Sequence, residues 1–119
     1  MIEVYHNPRC GKSRNCLAFL ENTNQECKII KYLEETPDAE QIKDLLKKLH
    51  LKPVELVRQK EKVWIENFKN IKMTDEAIIQ AMIDYPILIE RPIIIRGNKA
   101  IIARETDKIE AFFKDSSLL

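Results

Sequence analysis

Residues 92 to 103 read PIIIRGNKAIIA, two β-branched runs joined by the dipeptide Gly97-Asn98. A two-residue connection that begins with glycine suits the tight hairpin turns whose twist matches that of paired strands. No other stretch restricts the fold as much, because a hairpin specifies a strand pairing together with its register. A sheet must form, and the rest of the chain must pack on it.

Two further strands are expected. IEVYH (residues 2–6) is short and apolar and stops at Asn7-Pro8, and CKIIKYL (27–33) reads as the second. Between them a helix should open around Cys10–Gly11, carry Cys16, Phe19 and Leu20 on its apolar face, and close near ENTN. Thr36-Pro37 looks like an N-cap followed by proline at the first helical position, and Ile42, Leu45, Leu46 and Leu49 then make a core-facing stripe. Residues 53–85 carry no strand signal. Val54 and Val57, Trp64 and Phe68, and the set Ala77, Ile78, Ala81, Met82 and Tyr85 all have helical spacing, and Thr74 with Asp75 and Glu76 suits a helix entry. After the hairpin, Thr106-Asp107 is expected to cap a last helix with Ile109, Phe112 and Phe113 inward.

A strand–helix–strand start implies a parallel pair with a right-handed crossover. The fold class is therefore α/β: a four-stranded mixed sheet flanked by helices, thioredoxin-like, with a helical insertion at about 53–85 before the C-terminal hairpin. With 119 residues the chain is expected to be one domain, 1–119.

Lys and Arg exceed Asp and Glu by one, which gives no electrostatic argument for a nucleic acid or a membrane. The most apolar region, Ile78 to Ile95, is interrupted by Asp84, Pro86, Glu90, Arg91 and Pro92 and cannot span a bilayer. The N-terminus shows no signal-peptide pattern. Three cysteines without a CxxC pair suit neither a disulfide framework nor zinc, so no metal is expected and a reducing cytoplasm is the expected location. No apolar stripe is left over once the helices pack, and a monomer is expected.

The chemistry concentrates at HNPRCGKSRNC, residues 6–16. Cys10 would sit past the carboxyl end of the first strand, at a helix N-terminus, where backbone N–H groups are unpaired and the dipole is positive. Thiolates so placed have pKa values lowered to roughly 3.5–7.5. Arg9, Lys12 and Arg14 add positive charge, and no acid occurs from Val4 to Leu20. His6 at the loop and the Ser13 hydroxyl could also support an ionised sulfur. The same helix start is an anion cradle, with room for a tetrahedral oxyanion against the amides of Gly11 to Arg14. Arg91 is the best-placed candidate for a further cation, with Arg58 and Arg104 as the others, since guanidinium groups hold two oxygens of an oxyanion at once; taken singly, each of these arginines reads more readily as a solvated surface residue. Arg91 would reach Cys10 if the third strand runs antiparallel beside the first, and Pro92 is then a candidate cis-proline.

Cys16 is a poor partner for Cys10. Six helical residues rise about 9 Å, whereas the Cα atoms of a disulfide lie within roughly 7 Å. Cys27 should stand at the opposite end of the sheet, and His50 near a helix end reads as a capping or surface residue. Cys10 is thus expected to have no internal partner, so any disulfide formed in turnover needs an outside thiol.

YHNPRCGKSRN, YLEETP, ELVRQK, YPILIERPIII and IIARET together resemble the glutaredoxin-coupled arsenate reductase (ArsC) family, in register from residue 1 to about 115. The resemblance implies reduction of arsenate to arsenite with glutathione as co-substrate, glutaredoxin as partner and no tightly bound cofactor. By position, Cys10 matches the nucleophile that forms an arseno-cysteine adduct. Arg58, Arg91 and Arg104 match the oxyanion-binding arginines, and His6 and Ser13 match positions linked to thiolate activation. Glutathione would attack the adduct, arsenite would leave, and glutaredoxin would reduce the Cys10–glutathione mixed disulfide. Lys12 and Cys16 stand where threonine is familiar, and the chain ends soon after its last helix, without the longer tail of typical members.

Two other functions suit the same fold. One is a glutathione-dependent thiol-disulfide reductase, with the arginines holding glutathione carboxylates. The other is an Spx-like transcription regulator that binds RNA polymerase. Spx-like proteins share RPIII, but they typically carry CxxC where this chain has Ser13 three residues after Cys10, and they lack a match to Arg104.

Overall fold

The computed structural model describes residues 2–22, 26–103 and 106–114. In chain order these form β1 (Ile2–Tyr5), α1 (Gly11–Asn22), β2 (Cys27–Ile30), α2 (Ala39–Leu49), α3 (Lys62–Asn67), α4 (Asp75–Asp84), β3 (Ile93–Arg96), β4 (Lys99–Ile102) and α5 (Thr106–Lys114), with 3₁₀ turns at Pro53–Leu56 and Pro86–Leu88. The chain divides into two compact units, Met1–Tyr32 with Arg91–Leu119, and Leu33–Glu90.

The first unit holds a mixed sheet of order β2-β1-β3-β4. β1 pairs parallel with β2 from Ile2↔Cys27 to Tyr5↔Ile30, and antiparallel with β3 from Ile2↔Arg96 to Tyr5↔Ile93. The hairpin closes β3 on β4 from Ile93↔Ile102 to Arg96↔Lys99. Gly97 takes φ 60° at the first central position of its turn, the conformation a II′ hairpin demands there. α1 and α5 pack through Cys16, Leu20, Ile109 and Phe112 onto Ile2, Val4, Ile94 and Ala103. Val4 and Ile94 are fully buried, and each such side chain contributes roughly 1.5–3 kcal/mol on leaving water. Tyr5, which alternates to the other face from Val4, stacks on Tyr32 with ring centroids 6.2 Å apart.

β2 stops at Ile30 rather than running to residue 33. Its partner β1 ends at Tyr5; one further hydrogen bond, from His6 N–H to Ile30 O (2.9 Å), closes the ladder, and beyond it the Asn7 N–H and C=O bond within the loop while Pro8 has no N–H to give.

The second unit is helical. Its core gathers Ile42, Leu45 and Leu46 of α2, Trp64 of α3, Ile78, Ile79, Ala81 and Met82 of α4, and Leu56, Val57, Leu88 and Ile89 of the turns. Trp64 and Phe68 lie 5.5 Å apart by ring centroids, and Phe68 meets Tyr85 edge-on at 5.9 Å. Ile65, Ile71 and Tyr85 stay exposed, more apolar surface than the sequence reading left over. Residues 53–85 contain no strand, but Val57 makes an isolated antiparallel bridge with Ile89.

α2 begins later than Thr36-Pro37 suggests. Asp38 is its N-cap: Asp38 Oδ1 accepts the Gln41 N–H and Gln41 Oε1 accepts the Asp38 N–H, both at 2.9 Å. This reciprocal pair satisfies two backbone donors at once, which a lone threonine cap cannot do. Thr74 caps α4 by accepting the Ala77 N–H at 3.2 Å. His50 closes α2 in the left-handed region with φ 57°. The expected Thr106-Asp107 cap and the Phe113 side chain lie outside the described residues. No helix among the described residues is long and apolar enough to cross a membrane.

Candidate active site

The loop between β1 and α1 is built around Asn7, which is buried. Its backbone carbonyl accepts the Cys10 N–H (3.0 Å), its Oδ1 accepts the Arg9 N–H (3.0 Å), and its own N–H donates to Ser13 Oγ (3.4 Å). These bonds fold the chain into a tight turn that delivers Cys10 to the start of α1. The Cys10 carbonyl accepts the Arg14 N–H at 3.0 Å, the first backbone bond of the helix. The N–H groups of Gly11, Lys12 and Ser13 then lack intrahelical acceptors, and no acid stands in the first turn to compete for them. Cys10 is half-buried with a free thiol.

Ser13 is fully buried, and its hydroxyl ties the helix to the loop through Asn7. Arg14 Nη1 donates to Pro8 O at 2.9 Å, and its Nη2 lies 3.8 Å from where a Cβ on Gly11 would stand. The guanidinium is thus folded back over the turn that carries Cys10. His6 is only 5% exposed. Burial first, then the positive charges of Lys31 and Arg14, hold its pKa below the usual 6.5. Its buried Nδ1 has no hydrogen-bond partner among the described residues.

The antiparallel pairing of β1 with β3 places Tyr5 opposite Ile93, so Arg91 and Pro92 continue the register alongside His6 and Asn7. The Arg91–Pro92 peptide is cis. Pro92 is fully buried, Arg91 is half-buried, and Pro92 O accepts the Ala103 N–H at 2.7 Å. His6, Cys10, Ser13, Arg14, Arg91 and Pro92 therefore fall in one unit. Arg58 belongs to the Leu33–Glu90 unit, where it faces Glu61 and Glu90. Arg104 lies outside the described residues.

Cys16 is 1% exposed within the core of the first unit. Burial, followed by the neighbouring Cys27, pushes its thiol up to about 12. Cys27 packs against the same core, and burial raises its pKa too. It opposes Ile2, whereas Cys10 follows the other end of β1. Among the described residues no group of three or more His, Cys, Asp or Glu could hold a metal ion.

Three residues escaped the sequence reading. Asn7 was visible as the Asn-Pro turn signal, though its three bonds were not. Glu61 stands three residues after Arg58, a spacing that allows an ion pair. Glu90 had no local signal, because only the Val57–Ile89 bridge brings it to Arg58.

A mixed four-stranded sheet with a cysteine at the mouth of the first helix, and a cis-proline leading into the antiparallel neighbour of β1, defines a thioredoxin-like protein. Within that class the chain belongs to the ArsC family, whose model matches residues 5–112. It is 43% identical to an uncharacterized protein of Escherichia coli K12, YfgD, over 91% of this chain and 92% of the relative. To a protein named arsenate reductase from Neisseria meningitidis it is 37% identical, over 92% of this chain and 96% of the relative. A solved structure described as arsenate reductase from Vibrio cholerae superposes with a TM-score of 0.86 at 38% identity, covering 92% of this chain and 95% of that one.

Proposed function

We infer that the protein is an oxidoreductase that reduces arsenate to arsenite, with Cys10 as nucleophile and glutathione and glutaredoxin as the source of electrons. The observation that carries this reading is Cys10 at the start of α1, in a chain whose family match runs from residue 5 to 112. Unpaired N–H groups and the helix dipole favour an anion at this place, and Arg14 adds a cation held over the same turn. Arg91, in register beside the loop, supports oxyanion binding from the same unit. Arg58 and Arg104 are assigned to the oxyanion through their match to the family's arginines.

In the first step the Cys10 sulfur attacks arsenic(V) and an arsenate oxygen leaves as water, forming a sulfur–arsenic bond. A glutathione thiolate then adds to arsenic. The two sulfurs join as a Cys10–glutathione disulfide, and the electron pair of one sulfur–arsenic bond passes to arsenic, which departs as arsenite. A glutaredoxin thiolate attacks the glutathione sulfur of the mixed disulfide, forms a glutaredoxin–glutathione disulfide and releases the Cys10 sulfur, which regains its proton. His6, matched by position to thiolate activation, has its pKa lowered by burial and by Lys31 and Arg14, which favours its neutral form beside the loop. The reaction needs no resident cofactor or metal, belongs in a reducing cytoplasm, and is assigned to a monomer.

A coupled assay of the purified protein with arsenate, glutathione, glutaredoxin and NADPH tests the reading. Saturable arsenate turnover is expected, abolished in Cys10→Ser and largely retained in Cys16→Ser. Activity on a model disulfide with none on arsenate would replace this reading with a thiol-disulfide reductase.

A further inference from the structure

Arg58 is already engaged by two carboxylates. Its Nη1 lies 2.6 Å from Glu61 Oε1 and its Nε 3.5 Å from Glu90 Oε1. The shorter contact is a charge-assisted hydrogen bond donated by Nη1–H. Backbone bonds hold both acids in place. The Glu61 N–H donates to Arg58 O (3.1 Å), while Arg58 N–H donates to Leu88 O (2.7 Å) and Glu90 N–H to Leu56 O (2.9 Å) on either side of the Val57–Ile89 bridge. The three side chains are mostly shielded, Arg58 at 24% exposed, Glu61 at 25% and Glu90 at 17%, so solvent screens them less than an open surface pair.

The Arg58 guanidinium is thus faced by two carboxylates, Glu61 and Glu90. An oxyanion drawn to Arg58 meets repulsion from both acids, and to use the Nη1–H held by Glu61 or the Nε–H faced by Glu90 it must displace them. A tetrahedral oxyanion has the means, since it offers two oxygens to the guanidinium fork. Chloride offers a single charge and no fork.

We propose that Glu61 and Glu90 are specificity-determining residues that hold Arg58 in competition with the oxyanion, so that only an anion able to take two of its N–H groups displaces them. The proposal rests on the reading of Arg58 as an oxyanion ligand. Neutralising either acid lowers the threshold: arsenate binds more tightly, and chloride begins to compete.

Calorimetric titration of arsenate into the full chain carrying Cys10→Ser, which blocks adduct formation, reads the competition directly. Adding Glu61→Gln or Glu90→Gln should lower the Kd by about five- to tenfold and make it sensitive to chloride. The gain should vanish when Arg58→Ala is added. In the protein that retains Cys10, the same Gln variants should lower KM for arsenate more than they change kcat. Thermal unfolding verifies that each variant is folded, and the two acids are independent tests. Unchanged or weaker arsenate binding in both Gln variants would overturn the proposal, since acids that merely position Arg58 would give that result. An equal gain in the Arg58→Ala background would overturn it too, by reducing the effect to bulk charge. Turnover is measured separately. Absence of arsenate reduction with the binding pattern intact would remove the reductase reading and leave the competition standing.

Discussion

His6 is buried beside a loop of cations, and that combination ties its charge state to the stability of the fold. Burial, with Lys31 and Arg14 adding to it, keeps its folded pKa below the 6.5 of the free side chain. The folded state therefore binds fewer protons than the unfolded state between the two values. Stability from this source is full above pH 6.5 and is lost as pH falls through the lowered folded value. Urea unfolding at several pH values should show the native protein losing more stability between about pH 7.5 and 5 than His6→Gln, which cannot titrate there. Parallel losses in the two proteins would assign the pH dependence to other groups. Cys10 and the cations around it were legible from the sequence because the loop is local, and so was the expectation of Cys16 as core. The surroundings of His6 were not, since Lys31 reaches it only through the pairing of β1 with β2.

At the scale of elements, the hairpin rests on one conformation that a side chain resists. Gly97 has φ 60°, and a Cβ there would meet no atom within 4 Å. The cost of Gly97→Ala is therefore backbone strain alone, about 1–2 kcal/mol. Chemical denaturation should register that loss, and a variant as stable as the parent would show that the turn accepts another geometry. The hairpin and the Thr74 cap of α4 were legible because each is specified by neighbouring residues. The entry to α2 was misread: Asp38 and Gln41 are both in the sequence, but their reciprocal bonds outweigh the proline signal at Thr36-Pro37. The length of β2 was overestimated because a strand ends where its partner does, and that partner lies in another segment.

For the whole molecule, the distribution of thiols bears on how the proposed turnover would finish. Cys16 is sealed in the core with its pKa pushed to about 12, and Cys27 pairs with Ile2 at the far end of β1 from Cys10. Under the proposed function, an outside thiol would then be needed. Arsenate and glutathione without glutaredoxin should build up protein bearing one glutathione on Cys10, seen by intact-mass and peptide analysis, and glutaredoxin should discharge it. A Cys10–Cys16 disulfide in its place would show that α1 opens during turnover. The sequence by itself determined the order of elements, the hairpin and the place of Cys10 at the start of α1, because periodicity, turn chemistry and helix ends act between residues close along the chain. Only the tertiary structure decided that Arg91-Pro92 lies in register beside the Cys10 loop and that Glu90 joins Glu61 on Arg58. Both depend on backbone hydrogen bonds between distant segments, and no pattern of neighbours encodes which carbonyl a distant N–H will meet.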